Sequence, residues 1–339
     1  MATNVYGDIN PRVGVVATKM LLERGQHKMV LERFGQRDPQ PMNSGKTRKY
    51  RRYLSLPKAT SPLVEGVSPA GQVMNYEDVT INLSQWGDKV TLSDVIEDTH
   101  EDPVLKEYMK IIGEQAADTI EWQRFVVLRA GTSVFYSGSA TTRATVDTKV
   151  QLKDFRRAFR FLKRYKAQEI SEVIAATAKV ATEPVGAAYF AVGHTDLQAD
   201  IQDISGFVPV EKYSSSTKVF PGEIGKLENI RIILSAFYEA WTSSGTTATT
   251  NNVLSDGEDP DSGDSADVYP IIVFGRDSYA TVPLQGREAI TPMVLNPNQP
   301  RGGDELGQKG SVGWKAYQGC GILNQTWMCR IECAASALV

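Results

Sequence analysis

The sequence predicts an α+β fold organised around one long helix and an extended arm. Three features of the 339-residue chain lead to this prediction. Residues 61–92 pass from a Pro/Gly-punctuated stretch into a strand-like alternation, residues 102–131 carry an uninterrupted helical pattern, and residues 187–235 mix strand-like runs with a short helix. Strands and helices mixed in this way, without a regular βαβ repeat, are typical of the α+β class.

The composition is that of an ordinary globular protein, with 41% hydrophobic and 9% aromatic residues. No stretch of about 18 apolar residues predicts a membrane span, and the N-terminus lacks the pattern of a signal peptide. Three cysteines, Cys320, Cys329 and Cys333, lie close to the C-terminus. An odd and sparse set of this kind predicts buried free thiols in a reducing compartment.

Charge is unevenly distributed along the chain although the net charge is only −3. Residues 1–60 carry 12 Lys and Arg against 4 Asp and Glu, whereas residues 242–270 carry 6 acidic residues and no basic one. Opposite regions of this kind can attract each other across a subunit boundary or face different compartments. The near-neutral total argues against a protein built to grip nucleic acid tightly.

The N-terminal third reads as a helix followed by an arm. Asn10 as cap and Pro11 at the first position predict a helix over residues 10–34. Residues 46–52 form a basic, strand-like run, and turn residues recur from Pro57 to Gly71. We expect this stretch to extend from the molecule rather than to pack within it.

A β-hairpin is predicted next. Val79, Ile81 and Leu83 alternate with polar residues, and the alternation resumes at Val90 and Leu92 after a predicted turn at residues 86–88.

The long helix is predicted over residues 102–131, with Asp102 as N-cap, Pro103 at the first helical position, and Gly131 ending it in a positive-φ conformation. A helix of this length spans about 42 Å, more than a small domain, so part of it is expected to contact other subunits. Its apolar stripe includes Ile120. Glu121, about 100° around the helix, is expected to tolerate substitution.

Three further elements are predicted in the second half of the chain. Residues 152–164 form a basic amphipathic helix, and residues 195–201 form a short one. Residues 242–266 are rich in Ser, Thr, Gly and Asp, which predicts an exposed surface loop. Residues 312–316 and 327–333 repeat the hairpin pattern as two C-terminal strands around a turn near Gly319 and Gly321.

No motif for catalysis, metal or nucleotide binding stands out. His27, His100 and His194 form no metal or triad pattern, and His194 is expected to cap a helix. The cysteines lack the further ligands of a zinc site. The acidic residues 256–264 lack EF-hand spacing, and no phosphate-loop glycine motif occurs. The sequence therefore predicts no enzyme, no cofactor and no metal; its two basic segments suit salt bridges, solvent or nonspecific phosphate contacts.

Four sequence blocks, in the same order, resemble tailed-bacteriophage major capsid proteins. They are RRYLSLPKATSPLVEGVSPAG, QWGDKVTLSDVIEDTHEDPVL, GEQAADTIE and LGQKGSVGWKAYQGCGILNQTWMCRIE. The resemblance runs from about Arg33 to Glu332. It is to the podophage branch, whose shell subunits adopt the Hong Kong 97-like capsid fold.

The resemblance implies a division of the chain. It makes residues 1–45 the N-terminal arm, 46–90 the extended E-loop, and 91–139 a peripheral domain with spine helix 102–131. Residues 140–304 become the axial domain, with the acidic surface insertion at 242–270, and residues 305–339 return to the peripheral domain as strands.

The resemblance also implies a function. Many copies are expected to assemble into pentamers and hexamers of an icosahedral head, put together in the host cytoplasm, that encloses double-stranded DNA in the virion. A portal protein, and scaffolding or decoration proteins, are the other expected partners, with no membrane. Inter-subunit contacts are assigned to Arg48, Arg51, Arg52 and Glu65, and contacts with packaged DNA to Arg156, Arg157, Arg160 and Arg164.

Three alternatives stay open at this point. An encapsulin-like nanocompartment shell shares the expected fold and differs in its contents. A soluble nucleic-acid-binding protein would use the two basic segments and show strongly salt-dependent binding. A hydrolase is disfavoured by the lack of a nucleophile or metal motif.

Overall fold

A computed structural model describes residues 29–62, 65–66, 68, 71–99, 104–170, 187–213, 220, 222–249, 251–261, 263–286, 290–298 and 302–337. The predicted N-terminal helix lies mostly outside these residues, as do His27 and His100. At its C-terminal end, Leu31–Arg33 form one 3₁₀ turn.

Among the described residues the chain forms four α-helices and fourteen strands. The helices are α1 (Asp94–Thr99), α2 (Val104–Arg129), α3 (Leu152–Arg164) and α4 (Gln198–Gln202). The strands are β1 (Gln36–Arg37), β2 (Thr47–Tyr53), β3 (Tyr76–Asn82), β4 (Ser84–Ser93), β5 (Val134–Tyr136), β6 (Tyr189–Gly193), β7 (Phe207–Pro209), β8 (Glu223–Leu227), β9 (Ile230–Leu234), β10 (Tyr269–Phe274), β11 (Tyr279–Pro283), β12 (Thr291–Leu295), β13 (Lys309–Ile322) and β14 (Met328–Cys333). Short 3₁₀ turns at Arg143–Thr145, Thr195–Leu197 and Val210–Lys212 complete the set.

The strands form three sheets. The largest has seven strands in the order β5-β14-β10-β6-β9-β8-β7. A five-stranded sheet is built around β13, which pairs with β4 on one side and with β11 and β12 on the other. β2 and β3 pair only with each other among the described strands and form a separate two-stranded sheet.

The seven-stranded sheet is buried on both faces at its centre. β6, β9 and β10 are continuous buried runs, which is the pattern expected of strands covered on two sides. α3 covers one face through Phe155 and Leu162. Phe190 and Phe274 form a second core on the other face with residues 30–34 and the end of α2.

The predicted hairpin at residues 79–92 is wrong, because β3 and β4 pair with different partners. β3 pairs with β2 from Thr47↔Asn82 to Tyr53↔Tyr76, so the true hairpin is formed by β2 and β3. β4 pairs along its whole length with β13. Gly87, predicted at a turn, lies inside β4. A Cβ there would lie 2.6 Å from the Trp314 carbonyl oxygen, so the close approach of β13 requires glycine.

The long helix is confirmed as α2, called the spine helix below, and its end differs in one respect. Gly131 follows the helix, but its φ is not in the left-handed region. A Cβ at Gly131 would lie 2.7 Å from the Met328 Cε, so the end of that flexible side chain would have to shift to admit one.

The spine helix packs on β13 as the apolar stripe predicts. Ile112, Ala116 and Ile120 are buried in one cluster with Trp314. Trp327, the other tryptophan of the C-terminal strands, packs instead against the core under α3.

Both predicted C-terminal strands exist, but they are not a hairpin. β13 continues through Gly319 and Gly321, and β14 lies in the seven-stranded sheet beside β5 and β10. The predicted segment 305–339 is therefore divided between two sheets.

The prediction of an exposed loop at residues 242–270 is wrong for its base. Ala248, Val253, Ala266 and Val268 are buried together with Val146 and Ala334. Small residues leave a weak apolar signal in sequence, yet they suffice here because main-chain hydrogen bonds join the segment to Val146 and Ala335. Asp267 is buried as well and accepts hydrogen bonds from the backbone N–H groups of Ser243 and Gly257.

Candidate assembly surfaces

The hairpin formed by β2, residues 54–75 and β3 is called the hairpin arm. A two-stranded sheet has little core of its own and is only marginally stable in isolation. Its root is held by Ile81 and Leu83, which are buried against Ala280 and Val282 of β11. Beyond this root, most of the described residues of the arm are exposed.

The far end of the hairpin arm carries exposed apolar side chains, called the apolar tip. Val73 is 81% exposed, Tyr53 61% and Met74 60%. The members are Tyr53, Leu54, Leu56, Val73, Met74 and Tyr76. A contiguous set of large exposed apolar residues on a thin extension marks an interaction surface.

The predicted contact arginines lie on β2, and each has a carboxylate partner within the chain. Arg51 donates two hydrogen bonds to Asp78, at 2.8 and 3.0 Å. Arg52 contacts Glu77 at 2.5 Å. Both pairs follow from the register, which places Arg51 opposite Asp78 and Arg52 opposite Glu77.

The remaining predicted contact residues flank this pair. Arg48 bonds Asp38 at 2.5 and 3.0 Å and so fastens the arm to the segment before it. Glu65 is exposed between the strands. The inter-subunit role of Arg48, Arg51, Arg52 and Glu65 stays a prediction. The intrachain partners of the three arginines were not predicted from the sequence.

Hydrogen bonding to Arg51 holds the pKa of the Asp78 carboxyl below its usual value. The same contact raises the pKa of Arg51. Arg51 and Asp78 are therefore both charged across the physiological pH range.

The spine helix presents a second exposed apolar surface. Ile111 and Trp122 are eleven residues apart, which is three helical turns, so they lie on one face. Both are exposed, as are Val95 and Ile96 of α1.

The inner side of the spine helix holds a buried carboxylate. The Oε1 of Glu121 accepts hydrogen bonds from the backbone N–H groups of Val30 and Leu31 and from the hydroxyl of Tyr238, at 2.9 to 3.1 Å. Arg124 lies beside it and reaches Glu32 at 3.3 Å. This junction ties residues 30–32 to the spine helix and, through Tyr238, to the region after β9.

Burial raises the pKa of Glu121, although Arg124 and the three hydrogen bonds oppose the shift. The expectation that Glu121 tolerates substitution is wrong, because its side chain is fully buried. Helical periodicity placed it beside the apolar stripe, but residues 29–34 cover this face as well.

The predicted basic helix is confirmed as α3, and its exposed face borders a cleft. The cleft has a volume of about 790 Å³ and is lined by Phe135, Arg157, Arg160, Phe161, Lys163 and Arg164. We call it the basic cleft. Phe135 and Phe161 meet edge to face with 5.3 Å between ring centroids, and the Arg157 guanidinium lies 4.5 Å above the Phe135 ring.

The cations of α3 differ in their partners. Arg156 bonds Glu228 at 2.6 Å and Lys163 bonds Glu169 at 2.5 Å. Among the described residues, no carboxylate lies within ion-pair distance of Arg157, Arg160 or Arg164. The assignment of Arg156, Arg157, Arg160 and Arg164 to packaged DNA stays a prediction, and Arg156 is already paired.

The tip of the acidic segment is called the acidic loop, residues 255–264. Asp256, Glu258, Asp259 and Asp261 are exposed. In the part of the chain that the structure describes, no Lys or Arg forms an ion pair with any of them.

The other side chains that could carry chemistry are the histidines and the cysteines. No group of three or more His, Cys, Asp and Glu residues within the described ranges is arranged to hold a metal ion. His194 caps the 3₁₀ turn at Thr195–Leu197, its Nδ1 accepting from the Asp196 N–H, as the sequence predicts. Cys320, Cys329 and Cys333 are free thiols, and burial raises the pKa of Cys320 to about 12. Of the helices described, none is long and apolar enough to span a membrane.

Comparison with known proteins gives one informative sequence match. No protein-family model matches the chain. The major capsid protein of Pseudomonas phage KPP21 is 23% identical over 243 residues. The match covers 68% of this chain. It spans 59% of the length of that curated relative.

Solved structures match over nearly the whole chain. The capsid of Ralstonia phage GP4 has a TM-score of 0.64 at 12% identity and covers 91% of both chains. The head structure of Helicobacter pylori bacteriophage KHP40 has a TM-score of 0.60 at 10% identity, covering 88% of this chain and 87% of that one. The chain has the Hong Kong 97-like capsid fold. An encapsulin complex from Synechococcus elongatus also matches, with a TM-score of 0.51 at 11% identity and coverage of 89% and 86%.

The capsid fold confirms the fold class predicted from sequence, and the capsid relative agrees with the family resemblance. The hairpin arm, formed by β2, β3 and their connection, lies within residues 46–90, and the assignment of those residues to the E-loop stays a prediction. The predicted domain boundaries stay a prediction.

Two groups of residues escaped the sequence analysis. Asp38, Glu77 and Asp78 pair with the predicted arginines, and the two acidic residues facing a basic strand were a usable signal of that pairing. Phe135 lines the basic cleft from a three-residue strand. Nothing in the sequence near Phe135 indicates its place beside α3.

Proposed function

We propose that this chain is the major capsid protein of a tailed phage, self-assembling into the shell of the virion head. Its function is structural. The fold supports a shell subunit, and the sequence relative is itself a major capsid protein. The shell is proposed to consist of pentamers and hexamers and to enclose double-stranded DNA, with a portal protein, and scaffolding or decoration proteins, as further partners.

The observation that carries this proposal is the apolar tip on the hairpin arm. Among the described residues, the arm has no core that could cover Val73, Met74 and Tyr76. We therefore infer that their apolar surface is removed from water by contact with another molecule. Burial of such a side chain contributes about 1.5 to 3 kcal/mol. A subunit with this extension is therefore stabilised by neighbours.

The near-neutral net charge of the subunit suits a shell that encloses DNA. A wall that bound DNA tightly would oppose both dense packing and release. We propose that contacts with packaged DNA are few and nonspecific.

An encapsulin-like nanocompartment is the second candidate, supported by the Synechococcus elongatus match. The fold is shared, so the contents of purified particles distinguish the two: double-stranded DNA in phage heads, a cargo enzyme in a nanocompartment. The absence of catalysis is part of the proposal for either shell.

Electron microscopy of the purified full chain tests the proposal. We expect closed shells or rings of five and six subunits. Val73→Asp with Met74→Asp should leave circular dichroism and melting unchanged and abolish these assemblies, because charge on the apolar tip opposes its burial.

Ser55→Asp with Ser61→Asp is the matched control, since both serines are exposed on the same part of the arm. This control adds the same charge and should assemble. A monomeric wild type, or normal shells from the tip variant, would overturn the proposal.

A further inference from the structure

The basic cleft and the acidic loop lie on the same chain without contacting each other in the described structure. The loop is anchored by the backbone hydrogen bond from Leu254 to Ala335, while Phe135 of the cleft pairs with Ile331 of β14. Ile331 and Ala335 are four residues apart, which is about 13 Å along a strand. The cleft is thus built on β14 through β5, the loop is bonded to the chain just after β14, and both patches are exposed.

Three arginines of the cleft lack an acidic partner among the described residues. Arg157, Arg160 and Arg164 are exposed, and Phe135 and Phe161 give the cleft an apolar floor. Unpaired guanidinium groups around an apolar cleft suit an incoming carboxylate-rich segment, because Arg binds carboxylates in bidentate geometry.

The acidic loop has the matching chemistry. Four exposed carboxylates stand within six residues, Asp256, Glu258, Asp259 and Asp261. The base of the loop is packed, so the loop presents its charges without unfolding. The three arginines of the basic cleft would nearly balance the charge of the four carboxylates of the acidic loop.

We propose that the acidic loop of one subunit docks in the basic cleft of its neighbour within a capsomer. Such a contact joins two different surfaces of the same chain, and a contact of this heterologous kind closes into a ring when repeated with rotation. The inference rests on the proposed shell function and names the partner surfaces for it.

Packaged DNA is the competing occupant of the same arginines. A double helix meets a cleft of about 790 Å³ only at its rim and leaves the Phe135 and Phe161 floor uncovered, whereas a loop can enter. The chain also carries an acidic segment, residues 242–270, that has no basic residue of its own. These observations favour the loop.

Charge reversal with rescue tests the pairing in the full chain. Arg157→Glu/Arg160→Glu/Arg164→Glu reverses the cleft, and Asp256→Lys/Glu258→Lys/Asp259→Lys/Asp261→Lys reverses the loop. Each set alone should raise the protein concentration needed for ring formation at least about tenfold at low salt. The two sets combined in one chain should restore it.

Failure of the combined chain to recover, or normal rings from either single set, overturns the proposal. If the cleft set alone weakens salt-dependent DNA binding, while the loop set has no effect on assembly, DNA is the occupant and the proposal is again overturned.

A disulfide measurement separates this inference from the shell function. Arg160→Cys and Glu258→Cys chains, mixed and oxidised, should give a cross-linked heterodimer that neither chain gives alone. Cys329 and Cys333 are buried, and the partly exposed Cys320 is replaced by serine in both chains so that it does not compete. Cross-links without shells would support the contact and refute the shell. Shells without cross-links would refute the contact alone.

Discussion

Ile120 is the residue whose environment most directly tests the core beneath the spine helix. It is 2% exposed and packs with Ile112, Ala116 and Trp314. Ile120→Asp buries a carboxylate without a partner, at a cost of several kcal/mol against a total stability of about 5 to 15 kcal/mol. We expect no soluble folded subunit, as judged by circular dichroism and thermal melting.

The matched control is Ile111→Asp on the same helix. Ile111 is 52% exposed, so the identical substitution should fold and melt cooperatively. If Ile120→Asp melted cooperatively at the same temperature as Ile111→Asp, the stripe would not face the core. Glu121→Lys is unsuitable as a control because that carboxylate is buried and hydrogen-bonded.

Glu121 provides a prediction about pH. Its folded-state pKa is raised above the ordinary value of 4.5, chiefly by burial. The folded protein therefore holds this proton at pH values where the unfolded chain has lost it. The stability due to this proton is fully present below about pH 4.5 and is lost as pH rises through the folded-state pKa.

Glu121→Gln removes this titration while keeping an oxygen to accept from Val30, Leu31 and Tyr238. The stability of wild type relative to Glu121→Gln, measured by urea unfolding, should therefore decrease as the pH rises above about 4.5. Glu121→Ala leaves the three donors and Arg124 without their partner and should lose about 3 to 5 kcal/mol. A pH-independent difference between wild type and Glu121→Gln would contradict the assignment.

At the scale of elements, variants of the hairpin arm can show whether its arginines act within the chain or between subunits. Arg51→Glu with Arg52→Glu places like charges across β2 and β3, but ion pairs between exposed side chains contribute little to stability. Melting and circular dichroism should change little, whereas shells become rarer or more sensitive to salt. Light scattering against salt concentration measures this.

Adding Glu77→Arg and Asp78→Arg restores the cross-strand pairs with reversed signs. If Arg51 and Arg52 contact a neighbouring subunit, this charge-swapped arm remains defective in assembly. Full recovery by the swap would show that the two arginines act only within the hairpin.

The acidic segment gives a second prediction at this scale. Replacing residues 245–264 with a short Gly/Ser linker removes the buried Ala248 and Val253 and the main-chain bond from Thr246 to Val146. We expect a loss of about 3 kcal/mol or more, because apolar burial and cavity costs add. Urea unfolding measures it.

Replacing only residues 258–261 is the control, since the acidic side chains there are exposed, and the buried base and the bond from Gly257 to Asp267 are kept. That variant should fold with nearly wild-type stability. Equal stability of the two replacements would mean that the buried base contributes nothing.

Individual elements were predictable from sequence to different degrees. The spine helix and α3 were foreseen because a 3.6-residue apolar period persists over many turns in each. The pairing of β3 and β4 was not, since alternation identifies strands but not partners. β4 pairs with a strand more than two hundred residues away, and no local signal encodes that. The base of the acidic segment was missed because alanines carry little hydrophobic signal.

At the scale of the whole molecule, the fold was reached through resemblance rather than periodicity. The residues alone supported an α+β chain with an arm and a spine helix. Its three sheets are assembled by long-range pairs such as β13 with β4 and β14 with β5, which local patterns leave open. The arginines of both candidate surfaces could be predicted because clustered charge is visible in the sequence. The place of Phe135 in the cleft and the burial of Glu121 could not, because they depend on tertiary packing.

The hairpin arm should change its accessibility when the whole molecule joins a shell. In the free subunit, chymotrypsin should cut near Tyr53, Leu54 and Tyr76, because these residues are exposed beside a long connection. Assembly buries the apolar tip against a neighbour, so cleavage of shells should slow at least about tenfold, because proteolysis follows the population of the accessible form. Mass spectrometry of the fragments locates the cuts. The Val73→Asp/Met74→Asp subunit, which remains unassembled, should be cut as fast as free wild type under all conditions. Equal cleavage of shells and free subunits would place the arm outside the subunit contacts.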